Sequence, residues 1–252
     1  MPRHDIEVSE EAGVRYLHFG SSWVQGAMRI ARPWALELDY TREMMACLLL
    51  HPEPDWPRRA LLIGLGAGSL AKFLYRHRPQ AQLTVVEIDP RVVATARQYF
   101  KLPDNDARLR IVVDDGAHFM LGGMDPYDLI LVDGFDAKAR TGALDTLPFY
   151  QACRARLEDE GLLVVNLLGR SRGFRDSVQR IRTAFAGRSL VFPSCDAGNA
   201  IAFAATGNRI AHPLGEMKSA ARSLKTATGL NLLPTVARLE QSQTCAEGVL
   251  RL

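Results

Sequence analysis

The chain has 252 residues, 47% of them hydrophobic, with 31 Lys and Arg against 28 Asp and Glu for a net charge of +3. This is enough chain for one large domain, or one domain with an appendage, and the charge contains no long basic run of the kind that tracks nucleic acid. The four scattered cysteines (Cys47, Cys153, Cys195, Cys245) and six histidines show no metal-ligand spacing, and no apolar run approaches ~18 residues, so we expect a cytoplasmic protein with no metal, membrane or nucleic-acid partner.

From Ile6 to Gly26 alternating segments such as Val14 to Phe19 are separated by Gly13 and Gly20, which predicts a small antiparallel meander. Tyr40 to Leu50 carries Met44, Met45, Leu48 and Leu49 at helical spacing. The stretch His51 to Pro57 has three prolines in seven residues, so it ends that helix and divides residues 1–52 from a main domain over residues 53–252.

Beyond Pro57 the apolar runs Ala60 to Ile63, Leu83 to Val86, Leu109 to Val113, Leu129 to Val132 and Leu162 to Leu167 read as buried strands. Amphipathic stretches between them, including Ser69 to Arg76, Pro90 to Phe100 and Phe149 to Leu157, argue for a parallel sheet with helices on both faces. Leu190 to Phe192 and Ala200 to Ala205 read as a terminal antiparallel pair, giving seven strands; the tail after His212 has a helical pattern near Glu216 to Leu224 and is otherwise unplaced.

Leu61 to Ile63 runs into Gly64-Leu-Gly-Ala-Gly68, where three glycines allow a sharp turn and close approach of backbone to a ligand. The same pattern suits an ordinary strand-to-helix turn, so the downstream strand ends decide. They are acidic: Glu87-Ile88-Asp89, about twenty residues on, then Asp114-Asp115-Gly116, then Asp133-Gly-Phe-Asp136. Glu87 stands where a carboxylate accepts from ribose hydroxyls, Asp89 before Pro90 reads better as a helix N-cap, and Asp115 suits either a turn or a ligand contact.

These blocks, in this order, resemble the spermidine synthase family of aminopropyltransferases, and so do Leu17 to Gln25, Leu144, Phe149-Tyr150 and Gly198-Asn199. The resemblance covers Val14 to Ala205. It implies a class I S-adenosylmethionine-dependent methyltransferase-like (Rossmann-like) fold with a small N-terminal β-domain, commonly assembled as a homodimer or homotetramer. Under it, Glu87 and Ile88 hold the nucleoside, Asp115 and Gly116 the adenine, and Gly64, Gly66, Ala67 and Gly68 the methionine-derived part. Asp133 is the implied catalytic residue, with Gln25, Tyr40 and Asp136 beside an amine acceptor.

Three departures stand out. The family's glycine turn usually carries an aspartate where this chain has Ala67, so the choice between decarboxylated and intact S-adenosylmethionine is open, and Ala67→Asp is expected to shift preference toward the decarboxylated form. The loop after Asp133 carries Lys138 and Arg140, which either are solvated or oppose a polycation. The usual Tyr-x-Glu appears as Tyr40-Thr-Arg-Glu43, shifted by one residue. The leading expectation is therefore transfer from an adenosyl-sulfonium cofactor to an amine, releasing methylthioadenosine or S-adenosylhomocysteine. The alternatives are an S-adenosylmethionine-dependent methyltransferase and a non-catalytic nucleoside-binding regulator, since one fold hosts many activities.

Overall fold

The computed structural model describes residues 5–21, 23–123, 125–135, 140–195, 198–242 and 244–252. The chain opens as an antiparallel meander, β1 (Ile6–Glu11), β2 (Val14–Phe19) and β3 (Val24–Arg29). Ala12 and Gly13, at φ 49° and 76°, make the two-residue turn that joins β1 to β2. The third strand runs past the expected Gly26, to Arg29.

The helix expected over Tyr40 to Leu50 is two short pieces, α1 (Asp39–Met44) and α2 (Cys47–Leu50). Between them Met45, Ala46, Leu48 and Leu49 donate to carbonyls three residues back, so the coil tightens for one turn. Met44 to Leu50 are all at most 2% exposed, and burial on every side takes over from the amphipathic pattern.

The chain then runs β4 (Arg59–Ile63), α3 (Ser69–His77), β5 (Gln82–Glu87), α4 (Pro90–Phe100), β6 (Leu109–Val113), α5 (Gly116–Leu121), β7 (Tyr127–Val132), α6 (Leu147–Ala155), β8 (Leu157–Leu168), α7 (Phe174–Ala184), β9 (Ser189–Val191) and β10 (Asn199–Ala205). Among the described residues seven strands form one sheet in the order β6-β5-β4-β7-β8-β10-β9, parallel except where β10 runs antiparallel to β8 and β9. This is the sheet expected from the apolar runs and from the family resemblance.

Helix α6 starts at Leu147 rather than Phe149, because Thr146 caps it by accepting from the Phe149 N–H at 3.3 Å and Pro148 fits its first turn. Leu157, expected to end that helix, begins β8 opposite Tyr127. The acidic Glu158-Asp-Glu160 segment hides the strand start, and a register shift follows there.

Side chains alternate across the sheet. Ala60, Leu62, Leu129, Leu131, Leu162 and Val164 enter one core, whereas Leu61, Ile63, Ile130, Val132, Leu163 and Val165 enter the other. Each fully buried leucine or isoleucine contributes about 1.5–3 kcal/mol, which explains why these strands are apolar on both faces. The tail supplies β11 (Ala211–Pro213), α8 (Leu214–Thr228), α9 (Leu233–Gln241) and β12 (Val249–Arg251). Met217, Ala221, Val236 and Leu239 pack into the first core beside α1 and α2, so the tail completes that layer. Among the described residues no helix is long and apolar enough to cross a membrane.

Candidate active site

Strands β5 and β6 lie on one side of β4, and β7 and β8 on the other, so the chain reverses direction at the carboxyl ends of β4 and β7. That switch point is where open α/β sheets bind ligands. Gly64 leaves β4 at φ 94°, and a Cβ on it would stand 2.1 Å from the carbonyl oxygen of Asp133. Only glycine fits, and its absence of side chain lets Asp133 donate its N–H to Ile63 at 2.9 Å. Gly66 (φ 52°) and Gly68 (φ 69°) complete the turn into α3.

Glu87 ends β5 only 8% exposed. Its Oε2 accepts from the Leu65 N–H at 2.9 Å and its Oε1 from the Asp89 N–H at 3.0 Å, so the carboxylate braces the glycine turn. Burial raises this carboxyl above its ordinary value, against the opposing pull of those N–H donors. A carboxylate oxygen accepts more than one hydrogen bond, which leaves capacity for ribose hydroxyls. Asp89 is the N-cap of α4, accepting from Arg91 N–H at 2.9 Å, and Ile88 beside it presents a 40% exposed apolar side chain.

Asp115 caps α5, its Oδ1 accepting from Ala117 and His118 N–H at 2.8 and 3.0 Å. Gly116 lies against β4, since a Cβ there would come within 2.4 Å of Ile63 Cγ2. Asp115 thus serves the helix start while standing at an exposed strand end.

Asp133 follows β7. Its Oδ1 accepts from Asn166 Nδ2 at 2.8 Å, and the Tyr40 hydroxyl of α1 reaches the same carboxylate. Desolvation raises the Asp133 carboxyl above its ordinary range, while the Asn166 and Tyr40 hydrogen bonds hold it back. Tyr40 is itself pushed well above the usual phenol value, chiefly by burial and then by the Asp133 charge. Gln25, Tyr40, Gly64, Ala67 and Asp133 line one cleft, with Glu87 behind it through Leu65. Asp136 and Lys138 lie outside the described residues, and Arg140 is exposed.

Ala67 is 2% exposed and packs with Leu17, Met28 and Phe100. Strand β3 lies directly on it: a Cβ on Gly26 would stand 2.6 Å from the Ala67 Cβ and 2.8 Å from its nitrogen. The small residue in the turn and the glycine in β3 allow the meander to close over the cleft.

Two residues escaped the reading by motif. Asn166 sits inside the apolar run of β8, 3% exposed, and its Oδ1 accepts from Asn199 Nδ2 at 2.9 Å on the neighbouring strand. A lone amide within Val-Val-Asn-Leu-Leu is the available signal, because a buried amide demands partners. Asp145 gathers the Tyr150 hydroxyl (2.9 Å), Ser177 Oγ (2.7 Å) and Arg180 Nη1 (2.8 Å), fixing Leu144 against Gly134 and Gly116.

A spermine/spermidine synthase domain model matches residues 38–180, which include the glycine turn, Glu87, Asp115 and Asp133. A polyamine aminopropyltransferase of Chromobacterium violaceum is 34% identical over 97% of this chain and 92% of its own. The chain belongs to the spermidine synthase family. Among solved structures, a probable spermidine synthase from Corynebacterium glutamicum superposes with a TM-score of 0.70 at 21% identity, covering 90% of this chain and 91% of that one. Human methyltransferase-like protein 13, solved with S-adenosylhomocysteine, superposes with a TM-score of 0.65 at 25% identity over 77% of this chain and 93% of that one. The family's sheet and the methyltransferase sheet are thus one fold, and the choice of chemistry rests on the cleft.

Proposed function

We propose that this family member transfers the aminopropyl group of decarboxylated S-adenosylmethionine to a primary amine, releasing methylthioadenosine. The observation that carries the reading is the desolvated Asp133 carboxylate, raised above its ordinary value and aimed into the cleft beside the glycine turn. The neutral amine nitrogen forms a bond to the propyl carbon as that carbon's bond to sulfur breaks, and the amine proton passes to Asp133. A carboxyl raised by burial is a better base for that proton than a solvated one. The glycine turn and Glu87 fit the nucleoside: the backbone approaches closely, and the carboxylate retains acceptor capacity for the ribose. Ile88 offers an apolar face to the adenine, with Asp115 and Gly116 at its edge, and Gln25 and Tyr40 stand on the acceptor side. Following the family, we propose a cytoplasmic homodimer or homotetramer.

Ala67 favours a second reading, methyl transfer from intact S-adenosylmethionine, because no carboxylate in the turn repels the cofactor's own. Calorimetry with the decarboxylated and intact cofactors, combined with product analysis on diamines, decides between them. The expected result is tighter binding of the decarboxylated form with aminopropylated diamine and methylthioadenosine as products; a preference for the intact form with methylated product overturns it. Asp133→Asn should lower turnover by about 10²–10⁴-fold while methylthioadenosine affinity changes little. Equal losses in both would remove Asp133 from the chemistry.

A further inference from the structure

The C-terminal tail reaches the cleft through an ion pair with a buried carboxylate and a half-buried arginine. Arg238 of α9 donates from Nη2 to Oε1 of Glu43 on α1, across 195 residues of chain. Glu43 is 2% exposed, and its Oε2, like the Nε of Arg238, has no hydrogen-bond partner among the described residues. Burying the Glu43 carboxylate with part of its hydrogen-bonding capacity unused, against an arginine that stays partly in solvent, is a poor way to gain stability. An apolar side chain in place of Glu43 would close the same core more favourably, so the carboxylate calls for another explanation.

Its position supplies one. Tyr40 precedes Glu43 by three residues, one turn away on α1, and reaches Asp133. α1 has six residues and no side-chain N-cap bond, too little helix to hold its own place. It lies across β8, which carries Asn166 to the same carboxylate, and β10, whose Asn199 holds the Asn166 amide. Whatever fixes α1 along those strands therefore fixes the Tyr40 hydroxyl relative to Asp133.

We infer that Arg238 is a positioning residue for the reaction: by gripping Glu43 it sets α1 so that the Tyr40 hydroxyl stays on Asp133, which makes the C-terminal helix part of the active-site framework. The inference rests on Asp133 acting as the proton acceptor, and one arm of its test does not.

In that arm, tyrosine ultraviolet titration of the full chain compares Arg238→Met with wild type, each with and without Tyr40→Phe. The expected result is a tyrosine, assigned to position 40 by its loss in the double variant, that titrates at lower pH in Arg238→Met than in wild type. A Tyr40 titration unmoved by Arg238→Met overturns the positioning. In the kinetic arm, Arg238→Met should lower kcat about tenfold, leave methylthioadenosine affinity within twofold, and cost nothing further in a Tyr40→Phe background. Losses that multiply in that background, or cofactor affinity falling in parallel, contradict action through Tyr40. Arg238→Lys, which keeps the charge and one donor, should recover much of the lost kcat and serves as the test if the methionine variant does not fold; a lysine variant as slow as Arg238→Met, or slower than wild type by more with weaker cofactor binding, also overturns it. A moved Tyr40 with no transferase activity in wild type would instead refute the proposed function alone.

Discussion

Asn166 donates from Nδ2 to Oδ1 of Asp133 at 2.8 Å, and its own Oδ1 is held by Asn199 Nδ2 at 2.9 Å. The second bond fixes which end of the Asn166 amide faces the carboxylate, since the reversed amide would set oxygen against oxygen. Two neighbouring strands thus hold down a carboxyl that burial pushes up at the end of a third. Removing the donor by Asn166→Leu should push the Asp133 carboxyl further up, moving the acidic limb of the pH–kcat profile to higher pH. A bond to a charged group is worth roughly 1.5–3 kcal/mol, so a ~10–100-fold loss of kcat is expected at a fixed pH on that limb. Asn199→Ala should shift the limb in the same direction by less. Steady-state profiles of the three proteins check the order, and an unmoved limb in both variants would separate the amides from the reaction.

Glu87→Gln should separate binding from stability. The variant keeps shape but weakens hydrogen bonds to the ribose and converts one acceptor into a donor facing a backbone N–H, so methylthioadenosine affinity should fall about 10–100-fold by calorimetry. Because burial raises the Glu87 carboxyl in the folded chain, its contribution to stability is full below the ordinary value of 4.5 and is lost as pH rises through the folded value. Denaturant titrations should therefore show wild type losing stability relative to the variant between mildly acidic and neutral pH.

The strands and the turn were legible because their physics is local: buried parallel strands must be apolar, and the chain must turn on glycine before α3. Glu87 and Asp133 were legible as acids closing apolar runs. Asn166 was not, because its meaning depends on Asn199, 33 residues away and on an antiparallel neighbour. The role of Ala67 was only half legible, since sequence shows the missing carboxylate but not Gly26 pressed against it. The tail, too, gave a helical pattern without a place, because Arg238 finds its partner Glu43 at the other end of the chain.

The contact between Gly26 and Ala67 changes the outlook for restoring an aspartate in the turn. With β3 closed over it and Leu17, Met28 and Phe100 around it, a carboxylate at 67 has little solvent and little room at the edge of the cleft. Ala67→Asp should cost roughly 2–4 kcal/mol of stability and weaken both cofactor forms rather than shift preference toward the decarboxylated one. Thermal melts and the ratio of the two affinities check this. A well-folded variant with a ratio shifted tenfold toward the decarboxylated form would show that β3 yields and that selectivity does reside in the turn.

Beneath the same turn lies a buried cation. Lys72 of α3 is 1% exposed and donates from Nζ to the Phe100 carbonyl at 2.6 Å, at the C-terminal end of α4 where a positive charge is favoured. Desolvation lowers its ammonium from 10.5 to about 8. A lysine depressed in the folded state contributes stability that is present above its unfolded value and lost as pH falls through the folded one. Wild type should therefore gain stability relative to Lys72→Met as pH rises from about 8 to 10.5, by a few kcal/mol at most. At neutral pH the two effects of the substitution oppose each other: the variant sheds a desolvated charge but leaves the Phe100 carbonyl without its donor, a loss of ~1–3 kcal/mol. Parallel denaturant titrations at pH 7 and pH 10 read the difference directly. Identical pH dependence in the two proteins would mean that the ammonium is better solvated than its burial indicates.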